Sequence, residues 1–169
     1  MFLTEDAITG AYETCFKVNP PLRTAEDAQA IIEGVLDGSV DAIVTDHAPH
    51  ADWEKAREFE LAPFGMIGIE ASLALINTNL VKTGKMGYGK LVELMSINPR
   101  KILGVEPVSI EAGSLADITV FDADVEWTVG EDGYVSHAKN CGFAGTKVTG
   151  RATDVFVGGK QTLKNGAIC

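Results

Sequence analysis

The chain has 169 residues, 46% of them hydrophobic and 22% charged, a balance typical of globular domains and not of disordered chains. Its formal net charge of −10, with no basic cluster to offset it locally, excludes nucleic acid and anionic membrane surfaces as natural partners. It leaves room for a small anionic substrate, which one well-placed polar side chain can capture.

No apolar run reaches the roughly 18–20 residues needed to cross a bilayer, and the N-terminal run MFLTEDAITG carries no signal peptide. Three scattered cysteines, Cys15, Cys141 and Cys169, suit a reducing, cytoplasmic setting. They argue against a disulfide framework and against a cysteine-built zinc site.

In chain order, Thr4-Glu5-Asp6 opens a short helical turn, and Cys15-Phe16-Lys17-Val18 reads as a short strand stopped by Asn19-Pro20-Pro21. Thr24 is the N-cap of a helix whose apolar positions Ala28, Ile31, Ile32, Val35 and Leu36 follow helical spacing, and Gly38 ends it. Val40 to Thr45 is expected to be a second buried strand, ending in Asp46 and His47. Strand, helix, strand is the repeat of a parallel α/β architecture, in which functional groups gather at the C-terminal ends of strands. Asn19 and Asp46 both take such positions.

The stretch from Ala48 to Gly68, with Pro49, Pro63, Gly65 and Gly68, reads as a long loop with one helical turn near Glu54 to Phe59. Helices are predicted at about Ile69 to Lys82 and Tyr88 to Ile97, with a third short one from Pro99 to Gly104. Beyond Glu106-Pro107 the pattern becomes β-rich. Strands are expected at Ser114 to Phe121, Glu126 to Val129 and Asp154 to Val157, and Gly158-Gly159 makes a tight turn into Lys160 to Leu163.

The densest chemical cluster is Thr45-Asp46-His47-Ala48-Pro49-His50. A carboxylate ending a buried strand calls for a cation or hydrogen-bond donors, and two nearby histidines add metal ligands or proton donors. From spacing alone, a solvated turn with exposed histidines explains the same residues equally well. His137, far off in the β-rich region, reads as structural. On composition alone Phe64 reads as a core aromatic and Gly65 as a turn.

Taken together, Phe16 to Arg23 (FKVNPPLR), Thr45 to His50 (TDHAPH), Ala62 to Gly68 (APFGMIG), Asn98 to Gly104 (NPRKILG) and Gly113 to Val120 (GSLADITV) resemble the dihydroorotases of the bacterial type I class, within the amidohydrolase superfamily. The blocks occur in that family's order and cover nearly the whole chain. The resemblance implies an α/β fold: the C-terminal part of a (β/α)8 barrel over residues 1–106, followed by strands of a small β-sandwich domain over residues 107–169. It implies zinc-dependent, reversible hydrolysis of L-dihydroorotate to N-carbamoyl-L-aspartate in pyrimidine biosynthesis. Asp46 is then the metal-ligating carboxylate and catalytic acid–base, Asn19 and His50 bind polar groups of the substrate, and Phe64 and Gly65 line it. His47 takes a supporting place. A homodimer is allowed, as is association with aspartate transcarbamoylase.

The chain departs from that family's pattern. An early His-x-His pair, the Arg after it, a bridging acidic residue or modified Lys and two further histidines are not present. The expectation is therefore a fragment of the enzyme, with little activity and no binuclear zinc centre of its own. Two other readings remain open: another cyclic amidohydrolase, such as an allantoinase or dihydropyrimidinase, or a non-catalytic dihydroorotase-like scaffold for aspartate transcarbamoylase.

Overall fold

The computed structural model describes all of residues 1–169. Five short helices precede a four-stranded antiparallel sheet in the order β1-β2-β3-β4. Helix α1 spans Ala25–Asp37 with the expected ends. The Thr24 hydroxyl accepts from the Asp27 N–H at 3.2 Å, and the Asp27 carboxylate reaches back to Thr24. At the other end Gly38 takes φ 93°, where a residue with a Cβ would be strained.

The two strands anticipated near the N-terminus do not form. Thr14–Phe16 is a 3-10 turn whose backbone closes on itself, with Lys17 N–H donating to the Thr14 carbonyl at 3.0 Å. Val40 to Thr45 belongs to no ladder. Apolar patterning makes a segment fit to be a strand, but a strand exists only where a neighbour takes up its N–H and C=O groups. Here the Ile43 N–H goes to the Leu94 carbonyl instead, at 3.0 Å. The one ladder-like contact is a parallel bridge between His47 and Met66, with Ala48 N–H donating to the Met66 carbonyl at 3.0 Å.

Helix α2, Asp52–Lys55, starts earlier than its predicted turn because the Glu54 carboxylate accepts from the Ala51 N–H at 2.9 Å and fixes the first turn. Helix α3, Ile69–Ile76, runs on into a wider π-type turn over Asn77–Val81. There the Thr78 and Asn79 side chains take the Ala74 and Leu75 carbonyls at 2.8 Å each, competing with the regular ladder. Helix α4, Tyr88–Val92, widens in the same way over Glu93–Ile97. Helix α5, Asn98–Leu103, carries Pro99 in its first turn and ends at Gly104 with φ 65°.

The β-rich region starts later and pairs over longer stretches than expected. Strand β1 is one element, Ile118–Thr128, with a bulge between Asp122 and Glu126 where two separate strands were anticipated. Strand β2 covers Lys147–Val157, with Gly150 inside it at φ 103°. A Cβ on Gly150 would sit 2.3 Å from Phe121 Cζ and 2.8 Å from Asn77 Nδ2, so the glycine admits the close approach of both. Gly158 and Gly159 turn β2 into β3, Lys160–Lys164, with φ 57° and 79°. Asn165 and Gly166 repeat that device into β4, Ala167–Ile168.

Two apolar clusters meet at α3. Ala71, Ala74 and Leu75 pack with Ile67, Val129, Ala138, Cys141 and Val148, joining the helix to the β-rich region. Ile76 and Leu80 pack with Val35, Met86, Leu91 and Leu94, joining it to α1 and α4. Asn77, fully buried, spans the joint: its Nδ2 donates to the carbonyls of Ala123 and Thr149 at 3.0 and 2.8 Å, and its Oδ1 accepts from Tyr88 at 3.3 Å. Asn77→Ala strands these buried partners, so we expect a loss of about 1–3 kcal/mol. Urea unfolding followed by circular dichroism will read it as a lowered midpoint.

Candidate active-site cleft

A cleft of about 550 Å³ opens between the loop after Phe16, the Val40–Ala48 segment and the Phe64–Gly68 loop. Asn19, Thr45, Asp46, Phe64, Gly65 and Ser72 line it, with Phe2, Leu22, Ile76 and Phe143 among its apolar walls. Four of the five residues singled out from sequence thus share one cavity.

Asp46 is exposed at the cleft and holds φ 44°, in the left-handed region where Asp is among the few tolerated side chains. Backbone strain of this kind gathers where a side chain must point in one direction. Asn19, exposed, faces the same space and is followed by a cis peptide bond to Pro20.

The two histidines beside Asp46 are both engaged. His47 Nδ1 accepts from the Gly68 N–H at 3.1 Å and the Ile69 N–H at 3.4 Å, capping the start of α3. An accepting Nδ1 places the proton of the neutral ring on Nε2. His50 does not line the cleft. Its Nε2 lies 2.9 Å from the Phe64 carbonyl, which can only accept, so the ring supports the loop from behind. Its Nδ1 is 3.8 Å from the Glu54 carboxylate.

The Phe64–Gly65 loop rests on groups that sequence reasoning passed over. Lys55 and Lys17 are each only 8% exposed. Lys55 Nζ donates to the carbonyls of Pro63 and Gly65 at 2.9 and 3.0 Å. Lys17 Nζ donates to the Glu60 carbonyl at 2.9 Å and lies 4.6 Å from the centre of the Phe64 ring. Burial pushes the Lys55 ammonium below the ordinary lysine range; Cys15 opposes this and the Lys17 charge adds to it. Asn140, from the β-rich region, donates to the carbonyls of Ala48 and Gly65 at 3.0 and 3.1 Å and accepts from the His50 N–H at 3.2 Å. The one sequence hint was a lysine inside the apolar run of Cys15 to Val18. Asn140 gave none, being far along the chain from every residue it holds.

A protein zinc site generally needs three or more ligands. Asp46 is on the cleft, but His47 and His50 have each committed a ring nitrogen to the backbone. Burial raises the Cys15 thiol above its usual range, away from the thiolate a metal needs. No three His, Cys, Asp or Glu side chains converge. The residues of this chain do not fit a zinc centre by themselves.

The chain belongs to the amidohydrolase family, whose model matches residues 13–162. It is 48% identical over 162 residues to the dihydroorotase of Geobacter metallireducens, a match covering 96% of this chain and 38% of that protein. It is 41% identical over 166 residues to the dihydroorotase of Pelotomaculum thermopropionicum, covering 98% and 39% respectively. Among solved structures it resembles the L-hydantoinase (dihydropyrimidinase) of Arthrobacter aurescens, with TM-score 0.87 and 30% identity over 99% of this chain and 38% of the other. The chain therefore spans about two-fifths of the length of these relatives. The likeness to dihydroorotases read from the sequence blocks holds along nearly all of its residues. No helix is long and apolar enough to cross a membrane.

Two outcomes are expected. Gly65 has φ 123°, and a Cβ there would sit 2.5 Å from Ala48 Cβ, so Gly65→Ala is expected to cost about 1–3 kcal/mol from backbone strain alone, read as a lowered urea midpoint. Zinc titrated into the 169-residue chain by calorimetry is expected to give no tight stoichiometric binding; a one-to-one isotherm of micromolar affinity or better contradicts the ligand count.

Proposed function

We propose that this chain carries the substrate-facing part of a cyclic amidohydrolase, and specifically of a dihydroorotase. The observation that carries the reading is the meeting of Asn19, Asp46, Phe64 and Gly65 on one cleft, in a chain 48% identical to a dihydroorotase. Residues 1–106 form the C-terminal part of the barrel and residues 107–169 the small β domain that packs on it through α3.

The reaction opens the dihydroorotate ring: water adds to the ring carbonyl, the C–N bond of the cyclic amide breaks, and the nitrogen leaves with a proton. Asp46 takes the proton released as the oxygen nucleophile attacks and returns it to the departing nitrogen. Ring closure runs the same proton transfer backwards. Asn19 offers an amide to the polar groups of the substrate. The Phe64 ring and the Gly65 backbone lie along the flat face of the heterocycle, and His50, bonded to the Phe64 carbonyl from behind, supports that side without lining it.

A second reading has support in the solved hydantoinases, which share the fold at TM-score 0.87 and 25–30% identity. Hydantoin and dihydrouracil rings lack the carboxylate of dihydroorotate, so one assay separates the two.

The test replaces the matching stretch of the Geobacter metallireducens dihydroorotase with this chain. We expect hydrolysis of dihydroorotate, with Asp46→Asn lowering kcat by about 10²- to 10⁴-fold, the usual span of acid–base catalysis. Turnover of hydantoin or dihydrouracil in place of dihydroorotate selects the second reading. A folded hybrid that opens none of these rings defeats both.

A further inference from the structure

We propose that Lys55 and Asn140 are positioning residues which grip the Gly65 carbonyl from two sides and so hold the Phe64–Gly65 edge of the cleft at a fixed distance from Asp46. As far as it concerns substrate, this rests on the reading just given; as far as it concerns the loop, it stands on the geometry alone.

The Gly65 carbonyl receives Lys55 Nζ at 3.0 Å and Asn140 Nδ2 at 3.1 Å. Each donor also holds a second carbonyl. For Lys55 this is Pro63, at 2.9 Å, so the ammonium bridges the carbonyls of the two residues that flank Phe64. For Asn140 it is Ala48, at 3.0 Å, two residues beyond Asp46. One carboxamide therefore joins the Asp46 segment to the Phe64 loop, while its Oδ1 accepts from the His50 N–H at 3.2 Å and its backbone carbonyl accepts from the Ile67 N–H at 3.0 Å. Gly65 is also anchored through its own N–H, which donates to the Lys17 carbonyl at 2.9 Å.

Packing alone does not account for these side chains. Lys55 and Asn140 are 8% and 7% exposed, and none of the ion pairs in the structure includes Lys55. An ammonium removed from water without a carboxylate partner is costly, and an apolar side chain of the same length would fill the space at lower cost. What the apolar chain lacks is donors. All four bonds these donors make go to carbonyls of the loop or of the Asp46 segment, which is the arrangement a precisely held binding edge requires.

Lys55→Met keeps the stem and removes the ammonium. Asn140→Asp keeps the shape and the acceptor for His50 but loses both donated bonds. In the 169-residue chain, amide hydrogen exchange over residues 64–67 is expected to quicken about tenfold or more in each variant, with α1 and the β1–β2 ladder unchanged. In the Geobacter hybrid, Lys55→Met is expected to raise KM for dihydroorotate about tenfold with kcat within about threefold of the parent. Asn140→Asp, which also frees the Ala48 carbonyl beside Asp46, lowers kcat as well. Lys164→Met, on the exposed face of β3, serves as the control.

Unchanged exchange at residues 64–67 in both variants, or an unchanged KM in Lys55→Met beside altered exchange, overturns the proposal. So does a uniform loss of protection across the chain in both variants, which would make the two residues general supports of the fold. A hybrid with Lys55 and Asn140 intact that fails to open dihydroorotate defeats the enzymatic reading and leaves the exchange result to judge the clamp.

Discussion

Burial of α3 on opposite sides is the constraint from which the rest of the molecule takes its place. Its small and branched residues meet the β-rich region on one side and α1 and α4 on the other. A helix that is apolar nearly all round has no face to give to water, so both neighbours must close on it. Its first turn, capped by His47, lies at the rim of the cleft, and Ser72, Leu75 and Ile76 line the cavity. The helix that organises the core therefore also forms one wall of the candidate site. The identity of His47 is tied to that helix start more than to any metal.

The electrostatics beneath the Phe64 loop differ from those of the chain as a whole. The chain as a whole is strongly acidic, yet the groups beneath the Phe64 loop are two ammoniums enclosed by carbonyl oxygens. Carbonyl dipoles solvate a cation without cancelling its charge, so the positive field of Lys17 and Lys55 persists locally in a way that a salt bridge would not allow.

Local signals are legible in the sequence because they act locally. Thr24 with Asp27 and Gly38 fix both ends of α1 within one turn of chain, and Pro99 with Gly104 frame α5. Gly158-Gly159 bends the chain as its composition requires, while the equivalent Asn165-Gly166 was an available signal left unused. Strands depend on partners elsewhere, which local composition does not specify. The apolar run from Val40 to Thr45 has the composition of a strand but no ladder, and Gly150 disguised the length of β2 by interrupting its pattern. The site divides in the same way. Asn19, Asp46, Phe64 and Gly65 stood out because their neighbours in sequence form distinctive blocks. Lys55 did not, since a lysine on a short polar turn is ordinarily solvated, and nothing near Asn140 announces a contact with Ala48.

The reach of Asn140 has a consequence for how this molecule tolerates sequence drift. A side chain rooted in the β-rich region completes the hydrogen bonding of a loop that belongs to the helical region. The two regions are thus bound by a shared carboxamide as well as by grease. Divergence in either one is filtered by what the other can still satisfy, so a change at Asn140, which does not line the cavity, can register in the chemistry there.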